Sequence, residues 1–169
     1  MHANDHAREP HDVRAHLAAA VDTERFGERI AAGLERGVVV TLSGDLGTGK
    51  TTLVRGMLRG LGWTGAVKSP TYTLVEHYIL SRLYFYHFDF YRLDNPDEWE
   101  GAGFGDYFGE DSVCVVEWPE RVGSHLPAAD LAIDIAYAGS SSDAGREVRC
   151  TAHSAAGARC LTAARDRSS

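Results

Sequence analysis

An α/β fold on a mixed, largely parallel sheet is predicted by three features of this 169-residue sequence. Apolar runs of strand length alternate with segments of helical period. One run, Val38-Val39-Val40-Thr41-Leu42, leads straight into a glycine-rich loop and then a helix. Two further runs face each other across a short polar connection, which adds an antiparallel pair to the sheet.

The elements follow in order. Residues 1 to 16 are polar and carry His2, His6, His11 and His16; without a completing Cys or carboxylate pattern they read as a disordered tail. A single domain is expected over 17–162, with a frayed end at 163–169. From Thr23 to about Leu34, the residues Phe26, Ile30 and Leu34 recur every four positions and Gly37 follows as a stop signal, so this stretch is a helix. Val38 to Leu42 is the first strand. After the loop, Val54, Met57, Leu58 and Leu61 share one helical face. Gly60, Gly62 and Gly65 then loosen the chain before Val67-Lys68-Ser69-Pro70-Thr71, a hydroxyl-rich connection restricted by its proline. Strands are expected at Tyr72 to Leu80 and Leu83 to Phe88, forming a hairpin about Ser81-Arg82. Asp94-Asn95-Pro96 starts a helical stretch through Trp99, and a second short one covers Phe104 to Phe108. Val113-Cys114-Val115-Val116 is wholly apolar, as a strand covered on both faces should be. Leu131 to Ile135 and a last strand near Glu147 to Thr151 complete the sheet.

The loop carries the chemistry. Gly44-Asp45-Leu46-Gly47-Thr48-Gly49-Lys50-Thr51 fills every fixed position of G-x-x-x-x-G-K-[ST]. Successive N–H groups of such a loop curl around phosphate oxygens, and the following helix N-terminus adds partial positive charge. Lys50 then reaches the β- and γ-phosphates and Thr51 binds Mg²⁺. Lys50 and Lys68 are the only lysines in the chain, and Lys50 occupies the position that needs a compact ammonium, on what reads as an exposed loop edge.

Two carboxylates end apolar strands and complete the site, since ligands gather at the carboxyl ends of parallel strands. Glu117 is assigned to the metal or its waters, and Asp89 to the attacking water. A strand-end surface role for Glu117, and an ion pair with Arg92 or a helix cap for Asp89, stay open as alternatives. His87 reads as a core histidine rather than a base. No Asn-Lys-x-Asp segment reads guanine, so ATP is the favoured ligand. Between Asp94 and Gly145 the sequence has one arginine, Arg121, too few for a kinase lid. The net charge of −7 argues against a domain that clamps a nucleic-acid backbone unaided. Cys114, Cys150 and Cys160 follow no metal or redox spacing and fit reduced thiols. No apolar stretch approaches a membrane span and the start lacks a signal-peptide region, so a cytoplasmic protein is expected.

Four ordered blocks resemble the TsaE family of ATPases of tRNA threonylcarbamoyladenosine biosynthesis. They are Gly44 to Thr52, Val67-Lys68-Ser69-Pro70-Thr71-Tyr72-Thr73-Leu74-Val75, His87-Phe88-Asp89-Phe90-Tyr91-Arg92-Leu93, and Val116-Glu117-Trp118-Pro119-Glu120. Phe90 stands where the family usually has Leu. The resemblance implies a three-layer α/β/α P-loop NTPase fold and an ATPase that binds ATP and Mg²⁺. It further implies two protein partners, TsaD and TsaB, which carry out threonylcarbamoylation of adenosine 37 in tRNAs reading codons that begin with A. By carry-over, Thr51 and Glu117 hold Mg²⁺, the Ser69-Pro70-Thr71 loop and Asp89 respond to the nucleotide, Thr23 lies near adenine and Trp118 near the nucleotide; Thr52 and Thr71 join the binding set. Contact with tRNA is indirect. A free-standing small-molecule kinase and a nucleotide-gated binding module are the competing functions.

Overall fold

The computed structural model describes residues 11–165. Seven strands form one sheet: β1 (Asp12–Leu17), β2 (Val39–Ser43), β3 (Val75–Ile79), β4 (Tyr84–Asp89), β5 (Ser112–Glu117), β6 (Leu131–Tyr137) and β7 (Arg146–Ala152). Their spatial order is β1-β7-β6-β2-β5-β4-β3. The four central strands β6, β2, β5 and β4 are mutually parallel, while β3 pairs antiparallel with β4, β7 with β6, and β1 with β7. The sheet is thus mixed with a parallel centre, and the expected hairpin is β3 and β4.

Period-two alternation feeds two cores. Val113 and Val115 of β5 enter one with Val40, Leu42 and Phe85, whereas Cys114 and Val116 enter the other with Phe88. The first core lies under helices α1 (Ala20–Ala31), α2 (Lys50–Gly60) and α4 (Ala155–Arg165). Phe26 and Ile30 of α1, with Leu34 just beyond it, are buried there as their spacing predicts. The second core is covered by the four-residue helix α3 (Glu98–Gly101) and by 3-10 turns at 104–107, 119–121 and 123–125. Its aromatic side chains Phe88, Phe90, Trp99 and Phe104 pack ring to ring with centroids 5.5 to 6.4 Å apart. Three layers are present, but the second outer layer is thin.

Two expectations are corrected. Residues 12–16, assigned to a disordered tail, are part of β1 and pair in register with 147–151 of β7. Asp12-Val13-Arg14-Ala15-His16-Leu17 alternates polar with apolar, a strand signal hidden by its histidines and small side chains. Residues 163–165, placed in a frayed end, close α4, whose buried face consists of Gly157, Ala158, Cys160, Leu161 and Ala164. Residues 1–10, with His2 and His6, and residues 166–169 lie outside the described residues. Asp130 joins α4 to the sheet: it accepts from the Val39 N–H at 2.8 Å and from Ser154 Oγ at 2.7 Å, and Ser154 accepts from Gly157 N–H at the helix start. Cys114, Cys150 and Cys160 are free and buried, and burial pushes each thiol up to about 12, which makes them inert.

Helices α1 and α2 touch through backbone. A Cβ on Gly56 would lie 2.0 Å from the Glu24 carbonyl oxygen, and one on Gly27 would lie 2.4 Å from that of Leu53. This contact brings Thr23, in the first turn of α1, beside the N-terminus of α2. Gly56→Ala gains about 1 kcal/mol of helix propensity but loses about 3 kcal/mol to overpacking against rigid backbone. The expected net loss of about 2 kcal/mol is read as a lower urea midpoint; an unchanged midpoint would show that the helices have room to part.

Candidate functional site

Three parallel strands deliver the site to one edge of the sheet. Leu42 of β2 stands opposite Glu117 of β5, and Asp89 of β4 stands opposite the same Glu117. The glycine-rich loop leaves β2 at Ser43 and enters α2 at Lys50. Two of its glycines are required by geometry. Gly49, the residue before α2, sits at φ 106°, which a side chain would strain, and a Cβ on Gly44 would lie 2.3 Å from the Ile135 carbonyl oxygen of β6.

The loop separates two clefts. One, of about 380 Å³, is lined by Leu46, Gly47, Gly49, Lys50, Thr51, Thr52, Ser69, Asp89, Glu117 and Trp118. The other, of about 300 Å³, is lined by residues 17–20, Thr23, Gly47, Thr48, Gly49, Thr52, Gly145 and Arg146. The first gathers the side chains of Lys50, Thr51, Ser69, Asp89 and Glu117; the second is walled partly by the small residues Ala18, Ala19 and Ala20. Gly44 and Asp45 contribute carbonyls to the loop rather than lining to either cleft. Thr71 is exposed on the connection before β3, where its hydroxyl donates to Ser69 O at 3.4 Å, and it lines neither cleft. Ser69 lines the first cleft instead, with its Oγ 3.3 Å from Thr51 Oγ1.

Lys50 departs from expectation. It is buried at 6% exposure, not set on an exposed edge, and its Nζ donates to Gly44 O at 2.5 Å and Asp45 O at 3.0 Å. The ammonium also lies 4.6 Å over the Trp118 ring, a favourable cation–π contact. Trp118 reaches that position from a left-handed backbone, φ 57°, that costs a non-glycine residue of order 1–3 kcal/mol. Burial lowers the Lys50 pKa, opposed by the charges of Glu117, Asp89 and Asp45.

Glu117 is 3% exposed, which removes the surface reading. His87 is fully buried beside it and donates from Nε2 to Glu117 Oε2 at 2.5 Å, leaving Nδ1 without a partner. The donor must be Nε2–H, because the carboxylate can only accept. His87 is therefore a core histidine, as expected, but one that orients a site carboxylate, a link its position in the sequence does not disclose. Burial holds the Asp89 carboxyl above its ordinary pKa; the Tyr91 N–H, donating to Oδ1 at 3.0 Å, works against this, and the charge of Glu117 adds to it. Arg92 is directed elsewhere, 5.2 Å from the Tyr72 ring centroid. Two carboxylates thus face one ammonium, with the Thr51 and Ser69 hydroxyls beside them. Such a hard-oxygen set fits Mg²⁺ held jointly by protein and phosphate oxygens. Among the described residues, no group of three or more His, Cys, Asp or Glu could hold a metal by itself.

Sequence reading missed Arg146 and the 17–20 segment. The only signal was Gly145-Arg146 after a turn, which carries no motif.

Comparison with known proteins follows the same lines. A family model described as threonylcarbamoyl adenosine biosynthesis protein TsaE matches residues 17–148. The tRNA threonylcarbamoyladenosine biosynthesis protein TsaE of Haemophilus influenzae is 52% identical over 118 residues, which cover 67% of this chain and 75% of that one. The protein of the same name from Bacillus subtilis is 42% identical over 131 residues, covering 78% and 80%. The crystal structure of Bacillus subtilis YdiB superposes with a TM-score of 0.72 at 32% identity, covering 91% of this chain and 95% of that one.

Two outcomes are expected of the nucleotide-free chain. His87→Leu strands a buried carboxylate and should destabilise by about 3 kcal/mol; adding Glu117→Gln should recover much of the loss in chemical denaturation, and simple additivity would contradict the pairing. Asp89→Asn should raise Tm at neutral pH. The folded-state pKa of Asp89 is raised, so its contribution to stability is fully present below the unfolded value of about 4 and is lost as pH rises through the folded value. The gap between variant and wild type should therefore open as pH rises above about 4; a gap independent of pH would refute the assignment.

Proposed function

The chain belongs to the TsaE family of threonylcarbamoyl adenosine biosynthesis proteins, and on that premise we propose that it is an ATPase subunit supporting threonylcarbamoylation of adenosine 37 in tRNAs reading codons that begin with A. The observation that carries the ATPase reading is the single cleft joining the loop, Lys50, Thr51, Asp89 and Glu117. In this reading the triphosphate lies along the loop with its nucleoside beside Thr23 and residues 17–20. Lys50 binds the β- and γ-phosphate oxygens. Thr51 and Glu117 would hold Mg²⁺, which when bound would neutralise charge developing on the phosphates. Asp89 orients a water and accepts its proton as the water oxygen attacks the γ-phosphorus. The bond to the β-phosphate oxygen breaks, and ADP and phosphate leave. His87 keeps the Glu117 carboxylate in place throughout.

Hydrolysis by the isolated chain is weak in this account. Among the described residues no arginine lines the cleft of Asp89 and Glu117, and an arginine supplied in trans raises phosphoryl-transfer rates by roughly 10³–10⁵. The partners TsaD and TsaB are the source of that activation, and contact with tRNA runs through them. Work in the cytoplasm is part of this proposal and rests on the family's place in tRNA modification; no helix among the described residues is long and apolar enough to cross a membrane.

ATP turnover is expected to rise when both partners are added, with label from the γ-phosphate recovered as inorganic phosphate. Equal rates with and without partners would sink the proposal, and label on a small metabolite would replace it with a kinase. Lys50→Ala should weaken ATP binding by about 2 kcal/mol, roughly thirtyfold, from the lost charged hydrogen bonds. Wild-type affinity in that variant, measured by calorimetry, would remove the loop from the site.

A further inference from the structure

Five successive carbonyls of the loop, from Gly44 to Thr48, are bonded to side chains. Lys50 takes the first two. The other three are held by a cross-strand pair on the β6–β7 hairpin, Tyr137 and Arg146, which stand opposite each other in register. Tyr137 Oη donates to Leu46 O at 3.1 Å; Arg146 Nη2 donates to Gly47 O at 3.4 Å and Nε to Thr48 O at 2.9 Å. The guanidinium lies 4.3 Å from the Tyr137 ring centroid, so each side chain steadies the other. Nη1 donates to Gly145 O at 3.1 Å. Gly145 itself sits at φ 85°, where a Cβ would lie 2.6 Å from the Leu17 carbonyl oxygen, against the wall of the nucleoside cleft.

A trans peptide is planar, with its C=O and the next N–H pointing in opposite directions. Fixing the carbonyls of Leu46, Gly47 and Thr48 on the hairpin side therefore turns the N–H groups of Gly47, Thr48 and Gly49 to the other side, where those of Gly47 and Gly49 can meet an anion as part of a nest, while that of Thr48 is turned to Asp45 O at 3.4 Å. We propose that Tyr137 and Arg146 are positioning residues that hold the loop in its phosphate-receiving conformation and thereby set nucleotide affinity. The planar fork of Arg146 suits this task, because its fixed geometry directs separate N–H groups to the Gly47 and Thr48 carbonyls at once. The proposal rests on the loop binding phosphate, as argued above.

Calorimetric titration of the full chain with Mg-ADP separates the two ideas. If the wild-type chain fails to bind, the phosphate-site reading fails and the brace falls with it. If it binds, Arg146→Gln should raise Kd about tenfold, Tyr137→Phe about threefold, and Arg146→Lys to an intermediate extent. The Arg146→Gln/Tyr137→Phe double variant should lose less than the product of the single effects, because the two side chains act on one loop. With partners present, KM for ATP should rise in parallel while kcat stays within about twofold of wild type. A folded Arg146→Gln chain with wild-type Kd, or one with lowered kcat at unchanged KM, would overturn the proposal. Should Arg146→Gln not fold, Tyr137→Phe and Arg146→Lys decide: the former removes one oxygen from a side chain 39% exposed, and wild-type affinity in both would also overturn it.

Discussion

The parallel register of β6, β2, β5 and β4 is the constraint on which the site depends. Parallel strands end on the same edge, so the loop after β2, Glu117 ending β5 and Asp89 ending β4 meet although the two carboxylates lie 28 positions apart in sequence. A slip of one residue in β5 would exchange the two cores, sending Val113 and Val115 to the aromatic side and carrying Glu117 to the opposite face. Register is well specified for that reason. Both faces of β5 are buried, each by a different set of side chains, and neither set tolerates the other's shape.

Burial then gives the edge its chemistry. Glu117 and His87 are almost wholly withdrawn from water, and Lys50 nearly so. A charge in such a place is costly unless it is bonded, and each of these side chains is: Glu117 to His87, Lys50 to two loop carbonyls and the Trp118 ring. Asp89 is less well provided, with one backbone N–H to set against desolvation and the charge of Glu117. The cleft therefore holds more negative than positive charge in a partly dry setting, an imbalance that the proposed divalent cation would relieve. The aromatic core beneath β4 supports the arrangement: Phe88 and Phe90 flank Asp89 and are both fully buried, so the carboxylate stands on a rigid strand end.

Much of this was legible from one chain. The four-residue spacing of Phe26, Ile30 and Leu34, the apolar runs of β2 and β5, and the hairpin of β3 and β4 follow from period alone. What escaped was built of small or polar side chains. β1 hides its alternation behind Arg14 and His16, and α4 buries glycine, alanine and cysteine, which add little apolar contrast to a helical face. Both are elements at the margin, held by pairing with β7 and by the Asp130–Ser154 bonds rather than by a strong pattern of their own.

By itself the sequence determined the class of ligand. A phosphate loop is a local object, whose glycines, lysine and threonine act within eight consecutive residues, so its signature survives without knowledge of the fold. Asp89 and Glu117 were legible because each closes an apolar strand. Tertiary structure alone decided how these groups are held: that Lys50 is buried, that His87 orients Glu117, that Ser69 rather than Thr71 lines the first cleft, and that Tyr137 and Arg146 bond the carbonyls of the loop. Those are contacts between residues about 20 to 100 positions apart, fixed by sheet register and packing, and no local pattern encodes them.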